Sequence, residues 1–155
     1  HIPDYQSNEK TWHLIITSFS YANSCVVQTY NPQNYAIVDA EKNDFESFYT
    51  KELNARKKFF YPPYAKLIKI IIQDISCEKA KNSAQKLNRQ LIGIAKNKNM
   101  IEILGPIPSS PPIIRKKYRF HIIIKIKHKD AAIMPLLQII PENCIIDVDP
   151  ISLFS

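Results

Sequence analysis

Between residues 65 and 150 the hydrophobic period changes in a fixed order, and few folds accept that order. Residues 65–74, AKLIKIIIQD, form a β-branched run that puts Ile68, Ile70 and Ile72 on one face of a strand. Ser76 then suits a helix N-cap and Glu78 its first turn. Ala80, Ala84, Leu87, Leu91 and Ile94 recur at helical spacing, the stripe of a core-facing helix. Residues 101–104, IEIL, read as a short strand ended by Gly105, and GPIPSSPP as a stiff extended connector that proline bars from helix. A strand over 119–127, a helix over DAAIMPLLQII with Pro135 inside it, and a last strand in CIIDVDP complete the series. Strand, helix, strand, strand, helix, strand is the split βαβ order. It predicts an α+β, ferredoxin-like domain, with two helices on one face of a four-stranded antiparallel sheet.

Upstream the periodicity is weaker. Residues 25–30, CVVQTY, read as a short strand and 34–41 as one short helix. A second helix starts at Asn43, which is placed to cap it, with Glu46 three residues on. Phe45, Phe48, Tyr49 and Leu53 follow at helical spacing, and YPPY at 61–64 ends the element. The expected organisation is therefore a partial unit over 1–42, a linking helix and proline turn over 43–64, and a main domain over 65–155.

Charge is divided unevenly. Residues 1–60 hold 6 Lys or Arg and 7 Asp or Glu, whereas residues 61–155 hold 15 and 7. A basic half points to a polyanionic partner. A chain this rich in Ile, Lys and Asn also fits an AT-biased genome, so the placement of the charges has to decide. The densest segment is RKKYRFHIIIKIKHK, residues 115–129, with seven Lys or Arg and no acid. Strand alternation sends Phe120, Ile122, Ile124 and Ile126 to the core. Arg119, His121, Ile123, Lys125 and Lys127 go to the other face, which is expected to be open. Arg115, Lys116 and Lys117 extend this basic row into the loop. Arg115, Lys116, Lys117, Arg119, Lys125 and Lys127 are thus the expected contacts to nucleic-acid phosphates, made to the backbone with little base readout. A merely solvated, edge-protecting row of lysines is the competing reading.

Other chemistry is thinly supported. The chain has 2 Gly, too few for a phosphate-cradling loop, and no nucleotide-binding or nucleophile-elbow motif. His1, His13, His121 and His128 lack metal-ligand spacing, and Cys25, Cys77 and Cys144 suggest reduced, buried thiols. Asp147 and Asp149 in DVDP are a turn or salt-bridge pair before they are a Mg²⁺ site. No catalytic residue, metal site or cofactor is expected in this chain. With no signal peptide or membrane-spanning run in view, a soluble, cytoplasmic protein is expected.

Several segments resemble, in order and spacing, the C-terminal region of the primosomal protein N′ family. They are VVQTYNP (26–32), DFESFYTKELNARKKFFYPPY (44–64), EILGPIPSSPPIIRKKYRFHIIIK (102–125) and DVDP (147–150). The resemblance implies an ATP-dependent 3′→5′ DNA helicase of replication restart, and a last domain like ribosomal protein S10 that helps bind forked or single-stranded DNA. It implies single-stranded DNA-binding protein and primosome proteins as partners, with Lys129 near the docking position for the former's acidic tail. It places ATP, Mg and a structural Zn in upstream parts. Residues 1–42 correspond to the end of the second helicase lobe. The family's glycine- and arginine-rich final helicase motif is replaced by ITSFSYANS (16–24), which has no Gly and no Arg. By this resemblance the chain is the DNA-binding end of such a helicase, without ATPase of its own. The alternatives are an inactive remnant of a decayed or split gene, or one piece of a helicase whose ATPase needs an upstream chain.

Overall fold

A computed structural model describes residues 4–95, 100–127 and 133–153. The chain divides into two compact units, residues 1–59 and 60–155.

The first unit is helical. It contains α1 (Ser7–Phe19), α2 (Tyr35–Glu41) and α3 (Phe45–Phe59). Trp12, Ile15, Ala36, Ala40 and Phe48 form its core, with the Trp12 and Phe48 rings stacked at 4.5 Å. A polar network flanks that core. The Tyr35 hydroxyl donates to Glu52 Oε2 at 2.6 Å, and Arg56 bridges Glu52 and Glu9 at 2.7 Å each. Burial, and then the bond to Glu52, hold the Tyr35 phenol well above its usual range.

Three local expectations change here. Asn43 does not cap α3. It takes a left-handed backbone (φ 52°) just past α2, as asparagine tolerates, and Asp44 caps instead, accepting from the Ser47 N–H at 3.0 Å. The linking helix α3 packs in the first unit, so the chain divides after Phe59 rather than near residue 43. Residues 25–30 form no strand: Val26 is 95% exposed, and the segment lies in no sheet among the described residues.

The second unit holds β1 (Lys66–Asp74), α4 (Cys77–Ala95), β2 (Ile101–Ile114), β3 (Lys117–Ile126), α5 (Met134–Leu137) and β4 (Ile145–Val148). The strands lie in the order β2-β3-β1-β4, all neighbours antiparallel, so the split βαβ order does yield one four-stranded sheet. Ile68, Ile70, Ile72, Ile122, Ile124 and Ile126 meet Ala84, Leu87 and Leu91 of α4 in one core. Ser76 caps α4 through its hydroxyl, which accepts from Lys79 N–H at 3.4 Å.

The proline-rich stretch is not a connector. It is the second half of β2, paired with β3 across two register shifts, between Leu104 and Ile107 and between Pro108 and Ile113. Gly105 sits in the first shift at φ 110°, where a Cβ would lie 2.8 Å from the His121 carbonyl oxygen. Only glycine fits that approach. Of the predicted helix over 130–140, residues 130–132 lie outside the described residues, and the described part holds the short α5, which carries Pro135 in its first turn, where a missing N–H costs nothing.

Candidate nucleic-acid interface

The β2–β3 hairpin turns on two residues. Ile114 pairs with Lys117, and Arg115 and Lys116 form the loop between them. Both have positive φ, 50° and 62°. Two consecutive left-handed residues define the hairpin turn that matches strand twist, but that turn favours Asn-Gly. A non-glycine residue held there costs roughly 1–3 kcal/mol of backbone strain. The strain holds two cations at the tip of a hairpin. Arg115, Lys116 and Lys117 are all exposed, and Arg119, two residues on, is half-buried.

The far end of β3 departs from expectation. Alternation along the strand is as predicted, yet the face bearing Arg119, His121, Ile123 and Lys125 is not open. Leu67, Lys69, Ile71, His121, Ile123 and Lys125 on that face are all buried. Residues of the same unit cover it. The Tyr61 ring lies over Lys125 Nζ at 4.0 Å, Ser109 Oγ pairs with His121 Nδ1 at 3.1 Å, and Lys69 Nζ donates to the Ser152 carbonyl at 3.1 Å. Lys125 is 5% exposed and is therefore no free phosphate contact. Burial, with Lys127 nearby, pulls its ammonium below the usual lysine range. Lys127 is half-buried. It pairs with Glu102 Oε2 at 3.0 Å and lies 4.6 Å from the centre of the Phe60 ring. Burial, with Lys69 and Arg119 in addition, pushes the His121 imidazole down to about 4, so it is neutral at pH 7.

The structure thus gathers Arg115, Lys116, Lys117 and Arg119 at one end of β3 and sets Lys125 and Lys127 under aromatic rings at the other. Ten residues of strand separate the ends, roughly 33 Å. Lys129 lies outside the described residues. The aromatic segment FFYPPY supplies those rings. The sequence shows four aromatics around two adjacent prolines there, just after Lys57 and Lys58, but only the tertiary pairing shows which lysines they meet.

Asp149 Oδ1 accepts from the Leu67 N–H at 3.1 Å, which occupies one of the two DVDP carboxylates. Among the described residues no three His, Cys, Asp or Glu side chains converge as metal ligands do. Cys25 and Cys77 are exposed rather than buried, and Cys144 is half-buried. Residues 16–19 of the altered ITSFSYANS segment lie in α1 and the rest is exposed. Among the described residues no helix is long and apolar enough to cross a membrane.

Sequence comparison meets this geometry from a separate direction. A family described as the primosomal protein N C-terminal domain matches residues 57–151, which takes in the sheet unit almost whole. The chain is 33% identical over 156 residues to the replication restart protein PriA of Thermotoga maritima, covering 96% of this chain and 20% of that protein. The PriA proteins of Borreliella burgdorferi and Bacillus subtilis are 35% and 32% identical, over 79% and 92% of this chain and 19% and 18% of their own length. The chain therefore spans about one fifth of the curated relatives it matches. A matched region that begins beside the proline turn and ends just past β4, with the split βαβ sheet between, places this chain in the primosomal protein N C-terminal domain family.

Proposed function

We propose that this chain is the DNA-binding C-terminal part of a replication-restart protein, and that it holds branched or single-stranded DNA through the β2–β3 hairpin tip. The observation that carries the reading is the turn at Arg115 and Lys116. Neither residue type is favoured by the backbone it occupies, so their charge, not their fit, accounts for their presence. Arg115, Lys116, Lys117 and Arg119 are the proposed phosphate contacts. Lys125 and Lys127 are excluded from that set by their cover and, for Lys127, by its ion pair. ATP-driven strand separation falls to the remaining four fifths of such a protein or to chains that supply it, while contact with single-stranded DNA-binding protein near Lys129, and with other primosome proteins, is proposed from the family alone.

Affinity for a forked DNA, measured by anisotropy against salt concentration, tests the reading. Each phosphate contact contributes about 0.9 to the slope of log affinity on log salt. The double variant Arg115→Asn with Lys116→Gly installs the favoured turn and removes two cations. Its slope should fall by about two. A slope unchanged from the parent chain would sink the assignment.

A further inference from the structure

The cover on the second sheet face has a surface of its own. Phe60 follows α3 directly, at the position where chains commonly take a left-handed glycine. It has φ 52°, an outlier for a bulky side chain. The residue is nevertheless 40% exposed while one side of its ring faces Lys127 at 4.6 Å. The Tyr64 N–H donates to the Tyr61 carbonyl at 2.9 Å, which closes the proline turn and returns a second ring, Tyr64, to the surface at 38% exposure. Lys125 sits against Tyr61 at 4.0 Å. The proline turn thus presents partly exposed aromatic residues, of which Phe60 has an ammonium group behind its ring and a left-handed backbone holding it.

We infer that Phe60, backed by Lys127, forms a stacking site for an unpaired base of single-stranded nucleic acid. An aromatic ring has two faces. Lys127 takes one of the Phe60 faces, and the exposed part is left to a flat, polarisable partner. Bases meet that requirement whatever their identity, and aromatic rings beside cations are how sequence-independent single-strand sites are built. A duplex buries its bases and gains nothing there. The site rests on the proposed DNA-binding reading for its ligand, but on different residues. It gives the sheet unit two contacts of different kinds at opposite ends of β3, phosphates at the hairpin tip and an unpaired base at the proline turn.

The test uses the full chain and two labelled strands of twelve nucleotides, oligo-dT and the same backbone with abasic positions throughout. Phosphate contacts are equal in both. Stacking makes oligo-dT bind about fivefold tighter or more. Phe60→Gly relieves the left-handed strain, so its melting temperature should hold or rise while the preference falls below about twofold. Phe60→Trp should keep the preference. Should Phe60→Gly lose its fold, Phe60→Leu stands in for it with the same expected loss. Equal binding of the two strands by the parent chain overturns the site, as does a folded Phe60→Gly that keeps the full preference. A blunt duplex reports the hairpin alone. The Arg115→Asn, Lys116→Gly variant should weaken duplex binding and leave the ratio between the two strands intact, so the two readings fail separately.

Discussion

Lys125 shows how far one residue's chemistry depends on what lies above it. Its strand position puts it beside Arg119 and His121, yet it is buried against Tyr61. Replacing it with Met keeps the volume and removes a desolvated charge. A cation–π contact of about 0.5–2 kcal/mol is lost, and the cost of holding a charge out of water is relieved in return. Lys125→Met should therefore change stability by less than about 1 kcal/mol and leave the salt slope of DNA binding unaltered. A slope lower by one unit in that variant would return Lys125 to the phosphate contacts. His121 makes a pH prediction. Its imidazole titrates at 6.5 in a free chain and about 4 in the fold. Between those values the unfolded chain binds more protons, so stability rises with pH. The contribution is complete above about pH 6.5 and is lost as pH falls toward 4, by at most about 3 kcal/mol. Urea midpoints at pH 7 and pH 4.5 should differ less for His121→Gln than for the parent, since Gln removes this titration. An equal difference in both would mean His121 contributes none of the acid sensitivity.

At the scale of elements, the hairpin and α4 give opposite expectations. The β2–β3 turn trades stability for charge. Arg115→Asn with Lys116→Gly should raise unfolding free energy by about 1 kcal/mol even as it weakens DNA binding, because both new residues accept the left-handed backbone. No gain in the urea midpoint would mean that the turn is not strained. Helix α4 has no such conflict: its stripe reads directly from the sequence and lies on the sheet as expected. Leu91 is fully buried, so Leu91→Ala should cost about 2–5 kcal/mol, read as a lower urea midpoint without change in the DNA salt slope of the folded protein. The elements that were hard to read share a cause. β2 runs through prolines that normally end a strand, and it survives because it is an edge strand with register shifts, where missing N–H groups are tolerated. Residues 25–30 have strand composition but no neighbour among the described residues, and a strand needs a partner as much as a propensity.

For the molecule as a whole, charge and core divide along the same line. The basic excess lies in residues 61–155, and the sheet unit keeps its own core from Ile68 to Cys144. A chain starting at residue 57, where the family match begins, should fold cooperatively by circular dichroism and keep the salt dependence of DNA binding. An unfolded fragment would show that the sheet unit depends on the rest of the chain.

The order of periods along the sequence was enough for the split βαβ sheet, the α4 stripe and the inward isoleucines of β3, because period and burial are local properties of a repeating backbone. Which cations reach solvent was decided elsewhere. Tyr61, Ser109 and Ser152 come from distant or irregular stretches, and no alternation rule says that they will lie across a sheet face. The strain at Arg115, Lys116 and Phe60 is likewise invisible in the letters, since it arises only when the chain must turn where glycine is absent.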